Sequence, residues 1–486
     1  MKSASLPKFE SLKKVHIIGV CGTLMGAFAS FLKRSGIEVT GSDQNVYPPM
    51  SDVLREAGVE LITGYSAANL SRGSRPDLVV IGNVIRSDNP EAVEAIQGGF
   101  AYASLPQAME ELLLPDTRNL VVAGTHGKTT TASMLAFVLS HCGQDPNYFI
   151  GGVLKDLPHS FHVSSIKDGR CFVLEGDEYD TAFWDKVPKF NHYLPDDVIL
   201  TSIEFDHADI YPNLEAVKRA FDGLRQRMRA GGRLIACFDY ASVKEFAERA
   251  KTQVLSYASS ATSGARYYPV NIRNIGGLTH FDLVDGREGK TLAKLKLQLP
   301  GNHNVLNAIA VWLECRELGL DPARVADALS LFQGVKRRQE ERGEVRGVLV
   351  IDDFAHHPTA VRETLRALRL KYSQRRIIAV FEPRSATSRR KVFQKEYGEA
   401  FLEADEVFIS SPYDQSRIAV DDQFSSEELV ADLIREGRPA YLFAAVEEGV
   451  AQISSNSRSG DLVAVLSNGG FGGLIPKLLE KLSSSN

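Results

Sequence analysis

Short stretches rich in apolar residues recur along the 486-residue chain, many of them followed by a loop and a stretch with helical spacing. Runs at residues 15–20, 38–40, 77–82, 120–123, 171–174, 198–203, 233–238, 347–351, 376–381 and 462–466 read as strands. Of these, 15–20 and 120–123 read as buried strands. Amphipathic or apolar helices are expected at 27–34, 129–141, 213–228 and 359–370, with a last one running to 481. Residues 266–299 differ. There apolar and polar positions alternate and glycine turns fall at Gly276-Gly277 and Asp285-Gly286, so short antiparallel strands are expected. After 376–381, two more strand–helix pairs complete the pattern.

This is an α/β chain of three domains. The segment after Leu114, Pro-Asp-Thr-Arg-Asn, reads as a linker, and the charged stretch at 336–342 as a solvated one. The expected domains are 1–117, 118–340 and 341–486, the outer two Rossmann-like.

Strand exits carry the candidate chemistry. Residues 120–131, Leu-Val-Val-Ala-Gly-Thr-His-Gly-Lys-Thr-Thr-Thr, combine a strand, a glycine turn and a helix closed by Gly143. The turn's N–H groups and the helix N-terminus form an anion cradle. Lys128 supplies a point charge for the β/γ-phosphates and the Thr129 hydroxyl a Mg²⁺ ligand. The loop is shorter than the strict G-x-x-x-x-G-K-[ST] form: its first glycine is Gly124, and position 122 is Val.

Earlier, residues 19–26 (Gly-Val-Cys-Gly-Thr-Leu-Met-Gly) follow the first strand, and Asp43 closes the second, where dinucleotide folds hold a ribose. On spacing alone NAD and a sugar nucleotide fit equally. Asn83 lies beyond a further strand end. Glu175 sits where a triphosphate's metal needs a second hard oxygen donor. His207, between Asp206 and Asp209, is a candidate metal or phosphate ligand. His303, Asn304 and Asn307 share the face of a helix start, more polar groups than one cap requires.

Composition narrows the partners. Net charge is −5 without a basic tail, which gives little support to nucleic acid or a membrane surface. Five scattered cysteines lack C-x-x-C spacing, so neither a disulfide framework nor a zinc site is expected. No 18-residue apolar run and no signal-like N-terminus occur, so a cytoplasmic protein is expected.

Gly-Thr-His-Gly-Lys-Thr-Thr resembles the ATP loop of Mur ligases and folylpolyglutamate synthetases. Leu-Glu-Gly-Asp-Glu, Asp-His-Ala-Asp, Gly-Asn-His-Asn-Val-Leu-Asn and Asp-Asp-Phe-Ala-His-His-Pro follow it in order. Together they resemble the Mur ligase family over the whole chain. The resemblance implies a UDP-sugar site in the first domain, ATP in the middle one and the incoming amine in the last. It assigns Gly19, Cys21, Gly22, Thr23, Leu24, Met25, Asp43 and Asn83 to the UDP-sugar. Gly124, Thr125, His126, Gly127, Lys128, Thr129 and Thr130 would take ATP, with His303, Asn304 and Asn307 at adenine and Arg338, Asp353 and His356 reaching it too. Thr129, Glu175 and His207 would hold Mg²⁺, and Lys128, Glu175 and His207 carry catalysis. His126 and residues 22–26 favour a member acting on UDP-N-acetylmuramate. Phe-Glu-Pro-Arg-Ser-Ala-Thr and Leu-Ser-Asn-Gly-Gly-Phe-Gly-Gly resemble the branch that recycles wall peptide, placing L-alanyl-γ-D-glutamyl-meso-diaminopimelate at Arg384, Ser385, Thr387, Asn468 and Gly469. The alternative amine is L-alanine, and a remote alternative is an ATP-gated sensor of wall fragments without ligase activity. A monomer or weak homodimer is expected.

Several Mur ligases hold a second Mg²⁺ on a carbamylated lysine one helix beyond the Asp-His segment. The matching position here is Phe221, and the nearest lysine is Lys218. No carbamate is therefore expected.

Overall fold

Continuous apolar runs become strands with no wet face. In the computed structural model, which describes residues 6–47, 50–164 and 170–484, the first sheet contains β1 (Lys14–Ile18), β2 (Glu38–Asp43), β3 (Glu60–Thr63), β4 (Leu78–Ile81) and β5 (Tyr102–Ser104). Its order is β3-β2-β1-β4-β5 and neighbouring strands run parallel, with His16 opposite Thr40 and Val79. Both β1 and β4 are buried throughout. Helix α1 (Thr23–Arg34) returns from β1, and α2 (Leu105–Leu112) follows β5 behind a Ser104–Gln107 capping box.

The next seven pairing strands are β6 (Arg118–Ala123), β7 (Asn147–Phe149), β8 (Phe161–His162), β9 (Cys171–Gly176), β12 (Asp197–Leu200), β13 (Arg233–Cys237) and β14 (Gln253–Tyr257). They lie in the order β14-β13-β12-β6-β9-β7-β8, with β8 alone antiparallel to its neighbour. Val121 of β6 sits between Val198 and Leu174, so the exits of β6, β9 and β12 lie side by side. The hairpin of β10 (Asp180–Ala182) and β11 (Asp185–Pro188) leaves the end of β9. Helix α3 (Lys128–His141) is buried on nearly every side, and its polar Ser133 hydroxyl donates back to the Thr129 carbonyl. Helix α4 (Leu214–Arg227) has an apolar stripe of Val217, Phe221 and Leu224.

The chain divides into two compact units. One comprises Met1–Ile203, Val217–Tyr267 and Ala310–Ala328; the other comprises Glu204–Ala216, Tyr268–Ile309 and Leu329–Asn486. In the second unit, β16 (Leu278–Asp285) and β17 (Lys290–Leu297) form the expected antiparallel pair beyond β15 (Tyr267–Ile275). Gly276 and Gly277 make the turn from β15 into β16 at φ of 60° and 80°. Helix α5 (Asn302–Glu317) follows.

The last sheet holds β18 (Glu340–Val345), β19 (Val348–Asp353), β20 (Ile377–Phe381), β21 (Glu406–Ser410), β22 (Ala440–Phe443) and β23 (Leu462–Leu466), in the order β18-β19-β23-β20-β21-β22. Period-two alternation along β19 sends Leu349 and Ile351 to a core with Leu365, Tyr397 and Leu429. Val348 and Val350 point to the opposite core with Ile453, Leu474 and Leu478. Helix α6 (Pro358–Lys371) covers the first of these faces.

Three expectations need correction. The first helix begins at Thr23, not 27, because Gly26 is a packing glycine inside it: a Cβ there would lie 2.5 Å from the Met50 sulfur and 3.2 Å from the Val20 carbonyl. The charged stretch at 336–342 is not simply a linker, since its end enters β18 and pairs antiparallel with β19, Glu341 opposite Ile351. An outer edge strand tolerates charge. Finally, three strand–helix pairs follow β20 rather than two: β22 is a four-residue edge strand whose middle is partly exposed, so its apolar signal is weak. No described helix is long and apolar enough to cross a membrane, and the reading of the N-terminus rests partly on residues 1–5, outside the described ones.

Candidate active site

The glycine loop after β6 is held in shape by the exit of β12. Gly124 has φ 137°, and a Cβ there would lie 2.2 Å from the Thr201 hydroxyl and 2.8 Å from the Ser202 nitrogen, so only glycine fits. Thr125 N–H donates to the Ser202 carbonyl (3.1 Å), and His126 N–H to the Ser202 hydroxyl (2.9 Å). The Thr201 hydroxyl donates to the His126 carbonyl at 2.5 Å. Gly127, at φ 80°, caps α3 with no side chain in the way. The expected cradle of turn N–H groups therefore narrows: those of Thr125 and His126 serve Ser202, and the N-terminus of α3 with Lys128 is left as the anion site.

Two carboxylates from the end of β9 reach this loop. The Thr129 hydroxyl donates to Glu175 Oε1 (2.6 Å), and Gly151 N–H to Glu175 Oε2 (2.6 Å). The Lys128 ammonium donates to the Gly124 and Thr125 carbonyls and to Glu178 at 2.9 Å. Burial works against the charged lysine, yet Glu178, Asp177 and Glu175 outweigh it and raise the pKa. Asp177 is paired with Lys189 at 2.5 Å; despite its burial, that lysine and the Tyr179 N–H bring the carboxyl down to about 2. Thr129 and Glu175 offer adjacent hard oxygens, a donor set suited to Mg²⁺. Thr130 is buried in the first turn of α3.

At the mouth of the first sheet, Asp43 accepts from Cys21 N–H (2.9 Å) and Asn45 N–H (3.0 Å), joining the ends of β1 and β2. Burial, then Asp43, pushes the Cys21 thiol up to about 11. Gly19 has φ 83° and Gly22 caps α1. Thr23 and Asn83 are exposed and Leu24 half-buried, whereas Met25 is buried.

In the second unit, Asn304 donates to the Pro300 carbonyl (2.8 Å) and accepts from Asn307 (3.3 Å), both residues buried. His303 lies 3.3 Å from the Gln339 amide; burial brings its pKa down to about 4, so the ring is neutral. The Arg338 guanidinium stacks 4.7 Å over Phe354. Asp353 accepts from the N–H groups of Gln339 (2.7 Å) and Ala355 (2.8 Å) and from Thr364 (3.3 Å). Its carboxylate ties β19 to its surroundings, and burial raises its pKa.

The 204–209 segment belongs to this unit. Asp206 accepts from the Thr387 hydroxyl (2.5 Å) and from His207 N–H (2.7 Å), and His356 Nε2 stands 3.7 Å away. Burial opposes its ionisation, but His356 and His207 hold it well below the usual carboxylate range. His207 itself sits at φ 54°, a conformation uncommon for a residue with a Cβ. Thr387 also accepts from Ala208 N–H (3.2 Å), so its hydroxyl is committed to this segment rather than grouped with Arg384. Ser385 likewise caps its own turn, accepting from Ser388 N–H (2.9 Å).

Arg384 and Gly469 do come together. A Cβ at 469 would lie 2.1 Å from Arg384 Nε, so the loop after β23 rests on the guanidinium. The guanidinium also lies over Tyr413, whose ring centre is 4.0 Å from Cζ, and Glu382 accepts from Nη1 at 3.3 Å. Arg337 fixes the loop through the carbonyls of Ser467 (2.7 Å) and Gly469 (2.6 Å), and Asn468 Oδ1 is buried with no hydrogen-bond partner among the described residues.

Sequence reasoning missed Glu178, Thr201, Ser202, Glu382 and Tyr413. Glu178 had a signal, since it stands three residues beyond Glu175 in the same acidic exit. Thr201 and Ser202 support the loop from a strand end too distant in sequence to be paired by eye.

The order of these segments and their loop geometry define a Mur-type ligase architecture. Three family models match: the Mur ligase family catalytic domain over residues 14–116, the Mur ligase middle domain over 122–314, and the Mur ligase glutamate ligase domain over 337–469. The chain is 39% identical, over 97% of its length and 98% of the relative's, to the UDP-N-acetylmuramate–L-alanyl-γ-D-glutamyl-meso-2,6-diaminoheptandioate ligase of Escherichia coli K12. It is 35% identical, over 99% of its length and 98% of the relative's, to the UDP-N-acetylmuramate–L-alanine ligase of Kineococcus radiotolerans. Among solved structures, a murein peptide ligase of Psychrobacter arcticus superposes with a TM-score of 0.69 at 32% identity, covering 98% of this chain and 99% of that one. The chain belongs to the Mur ligase family.

Proposed function

We propose that this ligase joins the carboxylate of UDP-N-acetylmuramate to the amine of L-alanyl-γ-D-glutamyl-meso-diaminopimelate at the expense of ATP, in wall-peptide recycling. The observation that carries the reading is near full-length similarity, at 39% identity, to a relative named for that reaction. Segments 1–117, 118–340 and 341–486 are assigned to the UDP-sugar, ATP and the peptide. The close alternative, L-alanine as the amine, is favoured by the relatives at 31–35% identity. ATP consumption and cysteines without disulfides suit the cytoplasm.

The physical problem is that a carboxylate is a poor electrophile. Phosphorylation makes it an acyl phosphate, which the amine attacks with loss of phosphate. Lys128 and the N–H groups at the N-terminus of α3 hold charge on the transferring phosphoryl group, a term that dominates such catalysis. Thr129 and Glu175 would hold Mg²⁺, with His207 a further candidate ligand; the ion, when bound, neutralises phosphate charge. Asp43 organises the UDP-sugar loop through Cys21 N–H. Asn304 and Asn307 are assigned to the adenine end, and Arg384 to a peptide carboxylate through its planar fork.

The test is ADP release with UDP-N-acetylmuramate plus either the tripeptide or L-alanine. The tripeptide should be preferred by a large factor in kcat/KM. Equal values would overturn the recycling assignment, and release without any amine would favour a sensor.

A further inference from the structure

Glu178 lies in the same acidic exit as Glu175, and its carboxylate is turned onto the phosphate loop's own cation. Three acceptors surround the Lys128 ammonium: the Gly124 carbonyl at 2.6 Å, the Thr125 carbonyl at 3.2 Å and the Glu178 carboxylate at 2.9 Å. An ammonium has three N–H donors, so this set uses all of them. Both partners are withdrawn from water, with side-chain exposures of 14% for Lys128 and 3% for Glu178. Next to them, Asp177 is matched by a different cation, Lys189, so Glu178 is the carboxylate that answers Lys128.

We propose that Glu178 is a positioning residue that competes with the triphosphate for Lys128. In this state it neutralises the cation and folds it back on the loop. A phosphate oxygen reaching Lys128 must take the place of Glu178 among the three acceptors, and a buried carboxylate left beside a polyanion repels it. Glu178 therefore sets a threshold: weak anions are rejected, and only a polyphosphate that also gains the N-terminal N–H groups of α3 displaces it. This rests on the reading of Lys128 as the phosphate cation.

The probe is inorganic tripolyphosphate with Mg²⁺, titrated calorimetrically into the full chain, with adenosine as the uncharged control. Glu178→Gln keeps the shape and removes the competing charge; it should bind tripolyphosphate at least fivefold more tightly and lower the KM for ATP, with adenosine unchanged. Glu178→Asp, which keeps the charge but shortens its reach, should fall in between and decides the matter should the Gln variant not fold. Folded variants that bind tripolyphosphate no more tightly than the wild type, or that tighten adenosine equally, would overturn the inference. Lys128→Gln separates the two levels. If it leaves tripolyphosphate binding intact, the phosphate-loop reading itself fails; if binding is lost while Glu178→Gln gains nothing, only the role of Glu178 falls.

Discussion

The Thr129 hydroxyl donates a 2.6 Å hydrogen bond to Glu175, joining the first turn of the phosphate-loop helix to the end of the neighbouring strand. Adjacency of β6 and β9 puts these oxygens together, with Val122 opposite Glu175 in register. Glu175→Gln keeps a hydrogen-bond acceptor but removes the charge that a divalent cation needs. Acyl-phosphate formation in a single turnover should fall roughly 100-fold or more, the scale seen when one charge-stabilising group is lost. A variant within tenfold of wild type would remove Glu175 from the metal site.

Lys218 gives a contrasting expectation. Its ammonium is paired with Glu245 at 2.8 Å, while Phe221, the position matching the carbamylated lysine of other Mur ligases, is fully buried with its ring centre 5.2 Å from that of Phe190. Activity should be indifferent to bicarbonate, and Lys218→Ala should keep it within a few-fold. Loss of activity in that variant, with recovery on adding short carboxylic acids, would show that a carbamate forms after all.

Thr387 offers a stability test. Its hydroxyl holds the buried Asp206 carboxylate at 2.5 Å and also accepts from Ala208 N–H. Thr387→Val preserves volume but removes one of the donors to the buried Asp206 carboxylate and the acceptor of Ala208 N–H, at a cost of about 1–3 kcal/mol. Urea unfolding should show a lower midpoint at unchanged slope, and Thr387→Ser should recover most of the loss.

What was legible in the sequence followed from local rules. Apolar-rich runs became parallel strands, and the glycine turn before Lys128 became the N-cap of a buried helix, because strand, turn and helix N-terminus are contiguous. Contacts across long separations were not legible. Thr201 and Ser202 shape the loop from 75 and 76 residues beyond His126. Thr387 likewise had no signal in its own segment for Asp206, 181 residues away. Gly26 shows the reverse error: it read as a loop glycine, but Met50 and the Val20 carbonyl demand it inside a helix.

Gly469 tests the peptide assignment. A Cβ there would come within 2.1 Å of Arg384 Nε and 2.3 Å of its Cδ, so Gly469→Ala must move the guanidinium off Tyr413. A displaced fork binds a carboxylate poorly. The KM for the tripeptide should rise at least tenfold while the KM for ATP stays constant. An unchanged tripeptide KM would show that Arg384 does not meet the peptide.

His192 carries a pH prediction. Its Nδ1 lies 2.6 Å from Glu110 of α2 and its Nε2 2.9 Å from Asp185 of β11, so each ring nitrogen faces a carboxylate. Arg227 also pairs with Glu110, and the Gln107 amide donates to Asp185 at 2.8 Å. Burial disfavours the imidazolium, but the hydrogen bonds and charges of Asp185 and Glu110 outweigh it and raise the pKa above the ordinary histidine value. A raised folded-state pKa means that the stabilisation is fully present below the unfolded value, about 6.5, and is lost as pH rises through the folded value. Asp185 is shifted downward, with burial opposed by His192 and Gln107, so its share persists at neutral pH and fades only in acid. The wild type should therefore exceed His192→Gln in unfolding free energy near pH 6, and the gap should narrow steadily on going to about pH 9. Because the clamp ties α2, from the first sheet's last strand–helix unit, to the hairpin leaving β9, the same loss should appear as faster hydrogen exchange at 105–112. A gap independent of pH would show that His192 is neutral in the folded chain.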